Sequence, residues 1–96
     1  MTCLHVISRS PSTNLLASCS SLLKPGDAIL FIEDGIFYCT GENVEGLTSM
    51  EFAIYALRED LIARGLINRI IPAAEVIDYN GFVGLCCHYE KVVSWF

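Results

Sequence analysis

The stretch EFAIYALREDLIARG, residues 51–65, contains a complete strand-to-helix unit and establishes the architecture of the chain. Residues 51–57 are mostly apolar and include strand-forming side chains, which predicts a β-strand. Residues 58–65 predict a helix with well-marked ends. Acidic residues 59–60 suit the positive N-terminus of that helix, and Gly65 can adopt the left-handed conformation that ends many helices. A strand that leads directly into a helix is the building unit of α/β proteins.

The same alternation of strands and helices runs through the rest of the chain. Short, bounded apolar runs predict strands, and apolar residues at helical spacing predict the helices between them. We predict strands at 3–8, 28–33, 51–57, 74–78 and 91–96, helices at 15–23, 58–65 and 79–89, a short helix at 36–39 and a polar loop at 41–46. Parallel strands joined by right-handed crossovers carry helices on both faces of the sheet. We therefore expect an α/β fold over residues 1–96, a single-domain, three-layer αβα sandwich with a mostly parallel sheet of about five strands.

The composition suggests that part of the folded surface is apolar. The chain is 53% hydrophobic and only 18% charged, with a mean hydropathy of +0.49, so we expect a subunit interface. Its longest purely apolar run, residues 28–32, is far too short to cross a membrane. The start of the chain lacks the pattern of a secretory signal. We therefore expect a cytoplasmic protein whose five cysteines stay reduced.

Several classes of function lack the residues that they need. The net charge is −5 and no cluster of Lys and Arg is present, which argues against direct binding of nucleic acid. The glycines do not have the spacing of a phosphate-binding motif, and there is no G-x-S-x-G nucleophile motif. We therefore expect neither a nucleotide cofactor nor serine hydrolase chemistry.

The run of Cys86, Cys87 and His88 is a candidate metal site. Adjacent cysteines on a helix point about 100° apart, and the chain has no C-x-x-C pair, so we expect no bound metal. One of these two thiols is instead expected to pack between the helix and the sheet. His88 is expected at the surface, and His5 is expected to be a hydrogen-bonded structural residue of the first strand.

Cys19 is the thiol with the most informative setting. Together with Leu15, Leu16, Leu22 and Leu23 it forms one apolar stripe at helical spacing. It also lies beyond the first turn of the predicted helix, where a helix N-terminus would no longer favour a thiolate. The pattern therefore favours a packed core or interface residue over a nucleophile.

The other thiols have weaker settings. Cys39 follows a glycine turn at the carboxyl side of the second strand, where open α/β sheets bind ligands, although its neighbours are apolar. Cys3 occupies an ordinary strand position.

Five segments together resemble the TusB/DsrH family of sulfur-relay subunits. They occur in the order typical of the family and cover nearly the whole chain. The most specific part is Y-A-L-x-x-D-L-x-A-R-G followed by I-D-Y-x-x-F-V. The matching segments are LHVISRSP (4–11), LFIEDGI (30–36), IYALREDLIARGL (54–66), VIDYNGFVGL (76–85) and VVSWF (92–96).

The resemblance implies a DsrE-like αβα fold and a role in a heterohexamer of three related subunits. Expected partners are TusC/DsrF-like and TusD/DsrE-like subunits and, through the complex, sulfur-carrier proteins. Such complexes pass persulfide sulfur toward 2-thiouridine at the tRNA wobble position or serve sulfur oxidation. In both branches the principal sulfur-carrying cysteine belongs to a sister subunit, which implies an auxiliary, mainly architectural chain that is not catalytic alone.

Two alternatives follow from the thiols. DsrH-type members carry a cysteine in the first helix, so the resemblance makes Cys19 a candidate sulfur-carrying thiol. The five cysteines also allow a free-standing, homo-oligomeric regulatory protein. The sequence assigns no role to Cys3, Cys39, Cys86 or Cys87.

Overall fold

The computed structural model describes residues 2–13, 15–40 and 52–95. Its sheet has five strands, all parallel, in the order β4-β3-β2-β1-β5. The predicted α/β class is therefore confirmed, and the sheet is more uniformly parallel than we expected. The strands are β1 (Cys3–Ile7), β2 (Ala28–Phe31), β3 (Ala53–Leu57), β4 (Glu75–Ile77) and β5 (Lys91–Trp95).

Helices cover both faces of the sheet, which gives three layers. The α-helices are α1 (Leu15–Ser20), α2 (Arg58–Ala63) and α3 (Tyr79–His88), and 3₁₀ helices span Pro11–Thr13, Glu33–Cys39 and Ile67–Arg69. Side chains of a strand alternate between faces. Ile29 and Phe31 accordingly join the apolar cluster under α1 and α2, whereas Ala28 and Leu30 join the cluster under α3.

The strand-to-helix unit at 51–65 has the predicted form wherever the structure describes it. β3 leads directly into α2, and Gly65 follows the helix with φ 68°. The Leu66 N–H then donates back to the Leu61 carbonyl over 2.8 Å. This long reach is the hydrogen bond that closes a Schellman-type helix end.

The first helix is shorter than predicted. α1 ends at Ser20 rather than near residue 23, and the chain then turns. The turn directs Leu22 outward, and its side chain is 57% exposed. Leu22 therefore does not belong to the buried stripe that the helical spacing predicted, whereas Leu16 and Leu23 do pack on the core.

The predicted short helix at 36–39 is a 3₁₀ helix that begins earlier, at Glu33. Glu33 has φ 49°, in the left-handed region that residues other than glycine rarely adopt. Gly35 lies so close to β1 that a Cβ atom there would collide with the Ile7 carbonyl oxygen. The predicted loop at 41–46 lies outside the described residues.

Candidate functional site

Cys19 lies on the inner side of α1, and its side chain is fully buried. It packs in the apolar cluster between α1 and the sheet, as the stripe predicted. Burial, with smaller contributions from the Cys3 thiol and the Asp27 carboxylate, raises the pKa of Cys19 to about 12. The thiolate is the nucleophilic form of cysteine. The folded chain therefore holds Cys19 as a protonated and inaccessible thiol.

Cys3 lies at the edge of this buried region and is only partly covered. It lines a shallow cleft of about 190 Å³ at the amino ends of β1 and β5, together with His5, Lys24, Asp27 and Lys91. Burial and the Asp27 carboxylate raise the pKa of Cys3, while the neighbouring Lys91 ammonium opposes them. Cys3 is therefore the more accessible thiol of this region, but its surroundings do not activate it.

His5 and Asp27, which line the cleft, form a hydrogen-bonded network with Trp95. The side chains of His5 and Asp27 are only 6% and 3% exposed. His5 Nε2 lies 3.3 Å from Asp27 Oδ2, and the Trp95 indole N–H donates to His5 Nδ1 over 3.1 Å. The prediction that His5 is a hydrogen-bonded structural residue is confirmed.

Trp95 determines which nitrogen of the His5 ring carries the proton. An indole nitrogen can only donate, so His5 Nδ1 must accept. The ring proton then lies on Nε2, where it donates to Asp27. The network therefore joins β5 to β1, and β1 to the turn before β2, through one defined histidine tautomer.

Asp27 has further donors besides His5. The backbone N–H groups of Cys3 and Lys24 donate to its two carboxylate oxygens over 2.9 and 3.0 Å. Burial alone would raise the pKa of Asp27, but these two hydrogen bonds and the contact with His5 lower it overall. Asp27 is therefore a buried carboxylate that is stabilised in its ionised form by three donors, the backbone N–H groups of Cys3 and Lys24 and the His5 ring.

The remaining three thiols do not line the amino-end cleft. Cys39 is fully buried in the same cluster as Cys19, and burial raises its pKa to about 12. Cys39 is therefore not exposed at the carboxyl ends of the strands, where a ligand would bind. On α3, Cys86 packs toward the sheet while Cys87 is exposed, as their angular separation predicted. Within residues 2–13, 15–40 and 52–95, no group of three or more His, Cys, Asp or Glu residues could hold a metal ion.

A second, larger cleft lies at the opposite end of the strands. It has a volume of about 440 Å³ and adjoins the carboxyl ends of β1, β2 and β5. Carboxyl ends of parallel strands are the usual location of ligand sites in open α/β sheets. No cysteine lines this cleft; its lining residues are Val6, Ser8, Arg9, Ile32, Glu33 and Ser94.

Sequence reasoning did not identify Asp27 or Trp95 as partners of His5. Trp95 is 90 positions from His5 along the chain, and the two meet because β1 and β5 are neighbours. The sequence did contain one weak signal for Asp27. A carboxylate that directly precedes a fully apolar, buried strand has little access to water and therefore needs hydrogen-bond donors from the protein.

No helix in the described part of the chain is long and apolar enough to cross a bilayer.

Comparison with known proteins gives consistent matches along the chain. A family model described as DsrH like protein matches residues 9–92. The chain is 38% identical to Protein TusB from an Escherichia coli O1:K1 strain over 94 residues, which are 96% of this chain and 99% of that protein. It is 37% identical to Protein TusB of Shigella flexneri over the same coverage.

Solved structures match the fold at lower sequence identity. Protein Tm0979 from Thermotoga maritima superposes with a TM-score of 0.71 at 21% identity, covering 90% of this chain and 92% of that one. The ychN protein from E. coli superposes with a TM-score of 0.65 at 13% identity, covering 99% and 100%. These likenesses show a shared α/β architecture.

Proposed function

Because the chain belongs to the TusB/DsrH family, we propose that it is a subunit of a sulfur-relay assembly in the cytoplasm. The near full-length match to TusB proteins, at 38% identity, carries this proposal. The assembly would be a heterohexamer with TusC/DsrF-like and TusD/DsrE-like subunits. It would pass persulfide sulfur through carrier proteins, toward thiolation of the tRNA wobble uridine or in sulfur oxidation.

Within this assembly the chain has a mainly architectural role. Two of its thiols, Cys19 and Cys39, are fully buried, and their pKa values are raised to about 12. A pKa of 12 leaves about one thiolate in 10⁵ at pH 7. This supports a principal sulfur-carrying cysteine on a sister subunit.

Co-expression with the two sibling subunits tests the proposal. We expect the three chains to co-purify, and native mass spectrometry to give equal numbers of each. A chain that stays monomeric, or forms only homo-oligomers in the presence of both siblings, would contradict the proposal. A homo-oligomer would favour the free-standing thiol protein instead.

The second candidate function is direct sulfur transport by Cys19. Its supporting observation is position: Cys3 and Asp27, which line the amino-end cleft, are close enough to contribute to the raised pKa of Cys19, so this thiol lies near the cleft even though both contributions disfavour its thiolate. Because Cys19 is fully buried, this role would require α1 to move away from the sheet. The Cys19 thiolate would attack the outer sulfur of a donor persulfide, the S–S bond of the donor would break, and the donor would leave as a thiol.

Peptide mass spectrometry after incubation of the assembled complex with glutathione persulfide tests the carrier role. The role requires one added sulfur atom on Cys19 and loss of sulfur transfer in the Cys19→Ser complex. The control is Cys39→Ser, which removes an equally buried thiol from the same cluster. Unchanged transfer by the Cys19→Ser complex would refute the carrier role and leave the architectural role in place.

A further inference from the structure

The outer side of α3 carries no Asp, Glu, Lys or Arg side chain, because none of the ten residues of the helix is of these types. In α2, on the opposite face of the sheet, Arg58, Glu59 and Asp60 are all charged. Exposed helices normally have a charged outer face. α2 has such a face, whereas α3 and the shorter α1 lack it, and α3 is the longer of these two uncharged helices.

Part of the exposed side of α3 is an apolar stripe, which is flanked by the exposed Asn80, Gly84 and His88. Tyr79, Val83 and Cys87 are spaced at i, i+4 and i+8, and all three are exposed. No residue of α3 is fully buried, although the helix is mostly apolar. On the same face of the sheet, Val92 of β5 is 42% exposed. The apolar surface therefore continues from the helix onto the edge strand.

One helix is too narrow to cover this face of the sheet. Five strands are roughly 20 Å wide, and an α-helix with its side chains covers about 10 Å of that width. Among the described residues, α3 is the one helix that packs on this face. The larger cleft, lined by Val6 and Ser94, lies over β1 and β5 on the same side.

The rim of this cleft carries two charges without partners. Arg9 and Glu33 both line it, and within the described residues neither side chain has a hydrogen-bond or ion-pair partner. Val6 and Ile32 line the cleft beside Ser8 and Ser94, and one cation and one anion lie at its rim. Such a surface is complementary to a helix that has an apolar stripe flanked by polar and charged residues.

We propose that a sibling subunit of the same α/β fold docks on this α3 surface, defined by Tyr79, Val83, Cys87, Val92 and the adjoining cleft. The sibling places an apolar helix beside α3 over β1 and β5 and presents a carboxylate to Arg9. This inference rests on the proposed function, and it adds the surface through which the chain joins the assembly.

A small ligand does not account for the α3 surface as well. The exposed stripe extends along a helix about 15 Å long, well beyond the cleft, and burying it needs a macromolecule. A second copy of the chain is disfavoured by charge, since each copy carries a net −5.

Two matched substitutions test the docking surface. Val83→Lys places a charge on the α3 surface, and Ile62→Lys places the same charge on the outer side of α2. The two native side chains are 62% and 52% exposed, so both variants should fold, which circular dichroism checks. In co-expression with both siblings, we expect Val83→Lys to reduce sibling capture about tenfold or more, and Ile62→Lys to leave it within about twofold.

Charge reversal provides a second measurement. Arg9→Glu should weaken capture more strongly at low salt than at high salt, because it removes a screened attraction. Arg69→Glu, on an exposed arginine away from the α3 surface, is the control.

The outcomes separate this inference from the proposed function. If the wild-type chain captures no sibling, the proposed function fails. If wild-type and Val83→Lys chains capture siblings equally, the α3 surface is not the docking site, while the proposed function stands. If Val83→Lys instead disrupts an oligomer that the chain forms alone, a second copy is the occupant and the inference is overturned.

Discussion

Cys3 and Cys19 are neighbours, yet their environments make them very different thiols. Cys19 is enclosed by the apolar cluster under α1, whereas Cys3 lines an open cleft. Burial is the largest cause of the raised pKa of each thiol, and its effect is far stronger for Cys19. Proximity to the same buried carboxylate therefore does not give the two thiols the same chemistry.

We predict a clear order of thiol alkylation in the native protein. Exposed Cys87 should react with iodoacetamide first, partly covered Cys3 should react more slowly, and Cys19 and Cys39 should react only on unfolding, because both are fully buried. Peptide mass spectrometry over a time course at pH 8 measures this order. Labelling of Cys19 as fast as Cys87 under native conditions would contradict the structure.

Asp27→Asn should destabilise the chain by about 1–3 kcal/mol at pH 7, because an amide cannot accept all the hydrogen bonds that the carboxylate receives. The folded-state pKa of Asp27 is lowered, so its stabilising contribution is complete above about pH 4 and is lost as the pH falls through the folded pKa. Urea unfolding at pH 7 and pH 3 measures the difference between variant and wild type, which should narrow at pH 3.

Asp34→Asn is the matched control for this substitution. The Asp34 side chain is 57% exposed and pairs with Arg64, so its loss should change the free energy of unfolding by less than about 1 kcal/mol. A destabilisation by Asp27→Asn that does not depend on pH would contradict an ionised Asp27.

At the scale of secondary-structure elements, the 3₁₀ helix Glu33–Cys39 is held close to β1. Gly35 N–H donates to the Ile32 carbonyl, and Ile32 N–H donates to the Ile7 carbonyl. The Glu33 N–H donates to Asp60 Oδ2 at the start of α2 over 2.6 Å. These hydrogen bonds hold Glu33 in its unusual backbone conformation and join the carboxyl ends of β1 and β2 to the start of α2.

Two glycine substitutions should have opposite effects. Gly35→Ala should destabilise the chain by about 1–3 kcal/mol, because the new methyl group meets the Ile7 backbone. Gly84→Ala, in the interior of α3 with open space around its Cβ position, should stabilise by about 0.5–1 kcal/mol. Thermal or urea unfolding of both variants measures the contrast, and a neutral Gly35→Ala would show that the approach to β1 is looser than described.

At the scale of the whole molecule, the two faces of the sheet are covered unequally. Among the residues that the structure describes, twelve buried ones form the cluster under α1 and α2, and four form the cluster under α3. The side with the smaller cluster also carries α3, with its exposed apolar stripe, and the larger cleft. This asymmetry explains how the chain can fold around one well-developed core and still keep exposed apolar surface on the other face of the sheet.

Binding of siblings should therefore stabilise the folded chain. A partner present at 100 times its Kd adds about 2.7 kcal/mol to the free energy of unfolding. We expect the Tm of the chain to rise when purified siblings are titrated in, and to rise no more than about half as much for the Val83→Lys variant, whose binding is weakened about tenfold or more. Differential scanning calorimetry provides the measurement. An equal rise for both chains would place the stabilising contact elsewhere.

Local patterns alone were sufficient for the α/β architecture and for the position of Cys19. Helix and strand periodicity acts over a few residues, and so does the helix end at Gly65. These features can therefore be predicted from EFAIYALREDLIARG and from the leucine-rich stripe around Cys19. The ends of the first helix were less predictable, because the turn after Ser20 depends on packing rather than on spacing.

The candidate site depends on which strands become neighbours, and no local pattern encodes that choice. Placing β5 beside β1 aligns Trp95 with Ile7 and brings its indole to His5. The strand order also leaves α3 as the helix over the second core cluster. Pairing of distant strands is a long-range property of the folded chain, set by the burial of both sheet faces together. Only the assembled sheet therefore reveals the His5–Asp27–Trp95 network and the uncovered α3 surface.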